Sequence, residues 1–381
     1  MHIFEIKPRI CFGDKSLDIL KEINAENVVI FTDDFMQRSG AVDKVSSHIK
    51  NAGKISVFSD IIPDPPVELI VQALSYLERK NADIVVALGG GSSIDAAKAT
   101  ILMYMKKTGK KLPLYAIPTT SGTGSEVTKF SVITDREAGK KYPLVSDDLL
   151  PDVAILSSDL TLSVPANITA NTGFDVITHA LEAYISTGAN DITDALAEKS
   201  LELAFKYLPI ACKDPKNSEA REKMHTASCL AGMAFNDAGL GVNHGIAHSL
   251  GAIFHIPHGR ANAMMLYHVM FYNAGLDSNA NGTCSIACSK MAKIARVIGM
   301  YSFSDRQGAM SLLRTIKSMS QELGIPQSFA DIGITEEQYK KHKAHIVESA
   351  INDACTGSNP RKIDTAAVEQ ILKGIEKFAK Q

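Results

Sequence analysis

The sequence has 381 residues, of which 45% are hydrophobic and 22% charged, a mixture typical of globular proteins and not of disordered, collagen-like or coiled-coil chains. At roughly 100–200 residues per domain, this length predicts two domains. The 40 basic residues are balanced by 42 acidic ones and form no long run. The chain therefore lacks the concentrated positive charge that nucleic-acid phosphates attract, and we expect no nucleic-acid partner.

The same features favour a cytoplasmic protein with no membrane association. No stretch approaches the ~20 apolar residues that cross a bilayer, and residues 1–9 lack the charged-then-apolar order of a signal peptide. The six cysteines are dispersed without a CxxC pair, and the closest two are Cys284 and Cys288. Because disulfide scaffolds are typical of much shorter secreted chains, we expect reduced thiols.

The first 160 residues alternate short β-branched runs with helical patterns. Strands are predicted at residues 27–32, 54–58, 83–88 and 114–117. Helices are predicted between them, from the end of the first strand to about residue 52, at 68–80 and at 93–105. Strands that alternate with helices pair in parallel and are covered on both faces. We therefore expect a Rossmann-like α/β dinucleotide-binding domain over residues 1–164.

After Pro165 the pattern changes to long amphipathic windows, such as 193–208 and 220–235, and strand-like runs nearly vanish. This predicts an all-helical second domain over residues 165–381. A final helix is expected at 364–380.

A glycine-rich turn follows the third predicted strand and leads into a predicted helix. Its residues are Gly89, Gly90, Gly91 and Ser92. Glycines let the backbone approach a pyrophosphate closely, and a helix N-terminus offers unpaired N–H groups. The turn does not match GxGxxG, and a tight turn without a ligand is the alternative.

Two further polar segments follow predicted strands. Residues 119–126 (TTSGTGSE) come after Pro118, and their hydroxyls and amides could hold phosphate or ribose, an ordinary polar turn being the alternative. Asp33 closes the first strand, where a carboxylate could accept hydrogen bonds from the adenosine ribose and would repel a 2′-phosphate, which favours NAD over NADP. Taken alone, Asp33 fits a helix N-cap better.

Histidines and one carboxylate form a candidate metal site in the second domain. His244 and His248 are four residues apart, on one face of a helix, and Asp175 and His179 repeat this spacing. His258 lies in a Pro-His-Gly turn that could aim its imidazole inward. Three imidazoles and one carboxylate suit Fe²⁺ or Zn²⁺ equally.

The H-x-x-x-H spacing also occurs in zinc hydrolases, but Gly245 occupies the place of their catalytic glutamate. Hydrolysis would therefore lack its general base. A dinucleotide site together with a Lewis-acid metal points to hydride transfer.

The chain resembles the iron-containing (group III) alcohol dehydrogenases over nearly its whole length. The segments that carry the resemblance are GGGSSIDAAKA (89–99), IPTTSGTGSEVT (117–128), TGFDVITHALEAY (172–184), AGMAFNDAGLGVNHGIAHSLGAIFHIPHGRANAMML (231–266) and ACTGSNPR (354–361). The resemblance implies a dehydroquinate synthase-like fold and a metal-dependent, NAD(H)-linked enzyme. It also implies that the enzyme interconverts a small primary alcohol, such as propanol, and its aldehyde.

The resemblance also implies roles for individual positions. The metal-ligand positions, for Fe²⁺ or Zn²⁺, are Asp175, His179, His244 and His258. The cofactor-contacting positions are Asp33, Asp64, Gly90, Gly91, Ser92, Thr119, Thr120, Thr123, Thr128 and Lys141. The substrate-pocket positions are Phe130, Phe235 and Cys355. His248 falls near the nicotinamide and is the expected catalytic residue, while Asp64 stands where some members have Asn.

Two alternatives on the same fold stay open, a glycerol- or 1,3-propanediol-type polyol dehydrogenase and a lyase that uses NAD transiently. The resemblance further implies a homodimer or a higher oligomer, formed through an N-terminal strand at residues 3–10. Because the middle segments are most similar to enzymes of propanediol utilisation, location inside a bacterial microcompartment is a further expectation.

Overall fold

The computed structural model describes residues 3–137, 140–277 and 284–379. The chain divides into two compact units: unit 1 is Met1–Val164 with Lys216–Asn236, and unit 2 is Pro165–Pro215 with Asp237–Gln381. The sequence predicts domains at residues 1–164 and 165–381. The structure differs from this prediction at residues 216–236, which group with unit 1.

A six-stranded parallel sheet forms the centre of unit 1. The six strands of this sheet are β1 (Arg9–Phe12), β2 (Asn24–Phe31), β3 (Asn51–Phe58), β4 (Ile84–Gly89), β5 (Leu114–Pro118) and β8 (Val153–Leu156). Two further strands, β6 (Phe130–Asp135) and β7 (Lys140–Val145), lie outside it. The sheet order is β1-β8-β5-β4-β2-β3, with every neighbouring pair parallel. Strands β6 and β7 form a separate antiparallel pair. The expected parallel α/β fold is thus confirmed, and this hairpin is an addition that the sequence reading did not include.

Helices connect these strands, and two sequence expectations need correction. The helices of this part are α1 (Asp34–Arg38), α2 (Ala41–Ser46), α3 (Val67–Lys80) and α4 (Gly91–Thr108). The helix expected to reach residue 52 is wrong, because Gly40 at φ +81° separates α1 from α2 and the chain is already in β3 at Asn51. The N-terminal strand expected at residues 3–10 is β1, which begins only at Arg9.

The sheet is buried on both faces because its strands are runs of apolar residues. Along β2, Val29 and Phe31 pack with residues of α3 and α4. Their neighbours Val28 and Ile30 point to the opposite side and pack with residues of α2 and the 3₁₀ turn Ser16–Glu22. This alternation follows from the two-residue period of a strand. Each such side chain, fully buried, contributes roughly 1.5–3 kcal/mol of hydrophobic stabilisation.

Unit 2 is helical. From residue 166 onward the helices are α5 (Ala166–Ile185), α6 (Asp191–Lys213), α7 (Ser218–Ala238), α8 (Val242–Phe254), α9 (His258–Asn273), α10 (Ile286–Val297), α11 (Asp305–Glu322), α12 (Glu336–Asn352) and α13 (Thr365–Leu372). All of these belong to unit 2 except α7, nearly all of which belongs to unit 1. Helix α5 is buried along nearly its whole length and packs against α6 and α9, while α8 packs against α9 and α12. No helix among the described residues is long and apolar enough to cross a membrane.

Two further expectations about this part are corrected. The last helix ends at Leu372 instead of running to 380, because the following backbone pairs with another segment: Ile375 and Lys377 accept the N–H groups of Phe329 and Ala330. Reduced thiols are wrong for one pair, since the structure joins Cys284 and Cys288 in a disulfide beside the start of α10, where their spacing of four brings them together.

Unit 1 also contains a close backbone approach that explains why residues 216–236 belong to it. Gly124 adopts φ +63°, and a Cβ there would lie 2.7 Å from the Cα of Gly232 in α7. Two glycines therefore let the loop after β5 and α7 touch backbone to backbone.

We expect Gly124→Ala to lower the free energy of unfolding by about 2–4 kcal/mol, because it adds a backbone clash to the cost of a left-handed conformation. Gly109→Ala is the matched control, since Gly109 also has positive φ (+75°) but meets nothing within 4 Å. The control should lose only about 1 kcal/mol in guanidinium unfolding. Equal losses in the two variants would contradict the close approach.

Candidate active site

The predicted cofactor residues of the first strands meet at one edge of the sheet. Strands β2, β4 and β5 are neighbours and parallel, so their carboxyl ends lie side by side. Asp33, Gly89 and Thr119 come at or just after these three ends. The carboxyl edge of a doubly wound sheet is where such folds bind ligands.

The glycine turn and the loop after β5 are in direct contact. A Cβ on Gly90 would lie 3.4 Å from Thr120 Oγ1, and one on Gly91 would lie 2.7 Å from Thr123 Cγ2. Gly90 is the N-cap of α4, and Ser92 lies in the first turn of this 18-residue helix. First-turn N–H groups have no partner within a helix, so this edge offers donors to an anion.

Asp33 combines the two roles considered for it. Its Oδ1 accepts the N–H of Met36 at 2.8 Å and so caps α1. Its Oδ2 lies 3.6 Å from the position of a Cβ on Gly89. The carboxylate is therefore held at the sheet edge, beside the glycine turn.

Two oppositely charged residues of α4, the buried Lys98 and the partly buried Asp95, hold the segment that carries Thr128 and Phe130. Lys98 Nζ donates to the carbonyls of Thr128 at 2.7 Å and Phe130 at 2.9 Å. Asp95, one turn earlier, accepts from Ser125 Oγ at 2.6 Å. Burial lowers the pKa of Lys98 to about 8, and the negative charge of Asp95 opposes this. Thr128 and Phe130 are thus held to the helix that begins at the glycine turn.

Lys141 and Asp64 form a second pair in unit 1. Lys141 Nζ and Asp64 Oδ1 are 2.5 Å apart, and Asp64 adopts φ +53° in the turn before α3. The lysine lies on β7, and the turn is joined to β6 by a hydrogen bond from Thr134 N–H to the Pro65 carbonyl. The structure thus brings these two predicted cofactor positions together.

His225 of α7 supports the loop after β5 from behind. Its Nδ1 is 2.8 Å from Ser121 Oγ and its Nε2 is 3.1 Å from the Pro118 carbonyl. A neutral imidazole that donates to the carbonyl and accepts from the hydroxyl satisfies both contacts. Burial lowers the pKa of His225 to about 4.

In unit 2 the four predicted metal-ligand side chains come together. Donor atoms of Asp175, His179, His244 and His258 all lie within 4.8 Å of one another. Asp175 and His179 are one turn apart on α5, His244 lies in the first turn of α8, and His258 begins α9. Asp175 Oδ1 is 3.9 Å from His244 Nε2 and 3.6 Å from His258 Nε2.

This donor set fits a divalent metal ion. Three imidazole nitrogens and one carboxylate oxygen are the ligand types that Fe²⁺ and Zn²⁺ take. Ligands at roughly 2.0–2.2 Å from a shared ion lie about 3–4.4 Å apart, which the separations from Asp175 satisfy. Asp175, His179 and His244 are at least 97% buried, while His258 is partly exposed, so the cluster is open on one side.

Two buried residues that the sequence reading did not single out contact this cluster. Glu182 of α5 accepts the N–H of Asn243 at 2.7 Å and is hydrogen-bonded to His244 Nδ1. Asn262 of α9 donates to Asp175 Oδ1 at 2.7 Å. Burial acts to raise the pKa of Glu182, and the hydrogen bonds that its carboxylate accepts from backbone N–H groups act to lower it. The spacing of seven residues from Asp175 to Glu182, on a helix, was the available signal for Glu182.

His248 lies beside the cluster and has its own acidic partner. Its Nδ1 is 2.9 Å from Asp353 Oδ2, and its ring stacks on that of His258 with centroids 5.3 Å apart. Cys355 belongs to the same group, with its N–H donating to Asp353 Oδ1 at 2.9 Å. Burial is the largest single influence on the pKa of Asp353 and acts to raise it, but the hydrogen bond and electrostatic effect of His248 and the hydrogen bonds from Cys355 together outweigh burial, so the pKa is lowered. No local pattern in the sequence links Asp353 to His248, 105 residues earlier.

The three predicted substrate-pocket positions fall into two groups. Phe130 and Phe235 are ring neighbours in unit 1, with centroids 6.2 Å apart. Cys355 lies in unit 2, beside Asp353 and His248.

Comparison with known proteins is decisive for the family. The N-terminal iron-containing alcohol dehydrogenase model matches residues 7–158, and the C-terminal model of the Fe-containing alcohol dehydrogenase family matches residues 169–375. The chain belongs to the iron-containing alcohol dehydrogenase family. It is an oxidoreductase, and membership implies NAD(H) and a divalent metal. This favours a dehydrogenase over the lyase alternative.

Individual relatives cover nearly the whole chain. The 1-propanol dehydrogenase PduQ of Citrobacter freundii is 42% identical over 98% of this chain and 99% of its own. The NADPH-dependent butanol dehydrogenase of Clostridium saccharobutylicum is 37% identical over 97% of each chain. The structure of sulfoacetaldehyde reductase from Bifidobacterium kashiwanohense in complex with NAD⁺ superimposes with a TM-score of 0.85 at 32% identity, covering 98% of both chains. The dehydroquinate synthase-like fold shared by such structures is thereby confirmed.

Because His225 is buried, we expect the free energy of unfolding to decrease as the pH falls. Its pKa is about 4 in the folded protein and about 6.5 when unfolded, so between these values only the unfolded chain binds the proton. Its contribution is therefore fully present above about pH 6.5 and is lost as the pH falls toward 4.

We expect the stability deficit of His225→Gln relative to wild type to shrink by up to about 3 kcal/mol between pH 6.5 and 4. Urea unfolding at a series of pH values measures it. Parallel stability curves for the two proteins would contradict the assignment.

Proposed function

We propose that this alcohol dehydrogenase interconverts a short primary alcohol, such as 1-propanol, and its aldehyde, with NAD(H) as the hydride carrier and Fe²⁺ or Zn²⁺ as the metal. The observation that carries the proposal is the convergence of Asp175, His179, His244 and His258 within 4.8 Å of one another. Its substrate class rests on the names of the relatives and on the apolar pair Phe130 and Phe235.

The cofactor-binding role is assigned to the carboxyl edge of the sheet. Backbone N–H groups at Gly91 and Ser92 would donate to the pyrophosphate, because they begin an 18-residue helix. Asp33 would accept hydrogen bonds from the adenosine ribose and disfavour a 2′-phosphate. We further assign cofactor contacts to Asp64, Gly90, Thr119, Thr120, Thr123, Thr128 and Lys141.

The four clustered side chains would hold the metal, which when bound polarises the substrate oxygen as a Lewis acid while the nicotinamide carries the hydride. His248 is the proposed proton carrier. Because its Nδ1–H donates to Asp353 at 2.9 Å, its Nε2 keeps a lone pair that can accept the proton leaving the alcohol and return it in aldehyde reduction. We further assign substrate contacts to Phe130, Phe235 and Cys355.

We also propose a homodimer and, on the similarity to PduQ, location inside a bacterial microcompartment. Co-purification with shell proteins tests the location, and sedimentation tests the assembly state.

The activity itself is tested by NADH oxidation with propionaldehyde. Protein purified without oxygen and loaded with Fe²⁺ should consume NADH, and a chelator-stripped sample should not. Metal-dependent turnover with a polyol but none with propionaldehyde would contradict the substrate assignment.

Asp175→Ala removes the only carboxylate among the four clustered donors, so we expect loss of metal content and of turnover, by 100-fold or more. NADH affinity, measured by fluorescence, should stay unchanged because the variant leaves unit 1 intact. Retention of both metal and turnover would refute the metal site.

Gly91→Ala is expected to weaken NADH binding and to leave metal content unchanged, the reverse of the result expected for Asp175→Ala. Its Cβ would lie 2.7 Å from Thr123 Cγ2, so the Thr123 side chain or the loop that carries it must shift, and NADH affinity should fall about tenfold or more. Metal content, measured by elemental analysis, should be retained. Unchanged NADH affinity would contradict the cofactor role of the glycine turn.

A further inference from the structure

One buried carboxylate connects two of the helices that carry the clustered metal donors. Glu182 lies on α5, three residues after His179 and seven after Asp175, so the three side chains share one face of the helix. Its side chain is 99% buried and faces the beginning of α8.

Glu182 binds the first turn of α8 at more than one point. Oε1 accepts the N–H of Asn243 at 2.7 Å, and Oε2 is hydrogen-bonded to Nδ1 of His244. The N-cap position of α8 is Gly241, which has no side chain to cap the helix. A Cβ there would lie 2.7 Å from Glu182 Oε1, so the glycine admits the carboxylate. Glu182 thus supplies from α5 the acceptor that α8 lacks at its own start.

The contact to His244 also selects one tautomer of the imidazole. A carboxylate only accepts hydrogen bonds, so Nδ1 of His244 carries the proton and Nε2 keeps its lone pair. Nε2 is the atom of His244 that faces Asp175, 3.9 Å away. A carboxylate behind a metal-binding histidine fixes the ring orientation and strengthens the ligand.

We propose that Glu182 is a positioning residue for the metal, which sets metal affinity by holding His244 in the ligating tautomer and orientation. This inference rests on the proposed metal site. Glu182 touches neither substrate nor cofactor in this role, and it acts through His244.

Glu182→Gln tests the role with nearly unchanged shape. An amide has one acceptor oxygen, so if this oxygen keeps the N–H of Asn243, the NH₂ group faces Nδ1 of His244. That arrangement favours a proton on Nε2, where the metal must bind. We expect the dissociation constant for Co²⁺ or Zn²⁺ to rise 10- to 100-fold. It is measured on the full-length, chelator-stripped protein by competition with a chromophoric chelator.

Glu198→Gln is the matched control. Glu198 lies in the same unit and accepts from Tyr184 at 2.6 Å, away from the clustered donors. Its variant should bind the metal as wild type does. A comparable loss of affinity in Glu198→Gln would show a general effect of removing a carboxylate from unit 2 and would overturn the specific role of Glu182.

A double-mutant cycle separates positioning from a purely structural role. If Glu182 acts through His244, Glu182→Gln should have little further effect on metal affinity in a His244→Ala background. An equal loss in both backgrounds would overturn the inference, as would wild-type affinity in Glu182→Gln. Should Glu182→Gln fail to fold, Glu182→Asp, whose shorter side chain cannot reach both donors, undergoes the same titration with the same expectation. A wild-type protein that binds no metal would instead overturn the proposed metal site itself.

Discussion

The structure of unit 2 depends on the need to pair every polar group on a helix that is buried. Helix α5 is surrounded by other helices, yet it carries Asp175, His179 and Glu182 along one face. Unpaired charges in such a place would cost several kcal/mol each. The structure meets this cost by bringing α8 and α9 to the same face, with His244 on Glu182 and Asn262 on Asp175. The arrangement that satisfies these buried groups is also the one that gathers the imidazoles.

In unit 1 the corresponding region is formed by closely packed backbone segments instead of by paired polar side chains. Its strands end at one edge, where glycines at 89–91 leave no side chain between the start of α4 and the loop after β5. Helix α4 also holds the segment that follows the loop after β5, since Lys98 donates hydrogen bonds to the carbonyls of Thr128 and Phe130. A single rigid element therefore places both the helix N-terminus and the segment with two of the proposed contact residues.

The sequence predicts much of this because the informative signals are local. Short runs of apolar, β-branched residues mark β2 and β4, and the i, i+4 pairs Asp175/His179 and His244/His248 lie on real helices. The contacts that escaped prediction join distant residues: Asp353 with His248, and Glu182 with His244. Short-range patterns carry no information about such pairs. The helix breaks at Gly40 and after Leu372 also depend on where the chain must go next, so propensity alone places these ends wrongly.

The return of residues 216–236 to unit 1 has a consequence for biosynthesis. The chain builds the sheet, makes α5 and α6 of unit 2, and only then supplies the α7 glycine that meets Gly124. A ribosome must therefore have released more than sixty residues beyond position 164 before the first unit can close. During that interval the strands of the sheet have been synthesised, but the surface that α7 covers is exposed. Helices α5 and α6 have also been synthesised, before the other helices of unit 2 against which they pack. Neither unit is a contiguous stretch of chain, and so unit 1 cannot complete its folding before residues 165–215 of unit 2 have been synthesised.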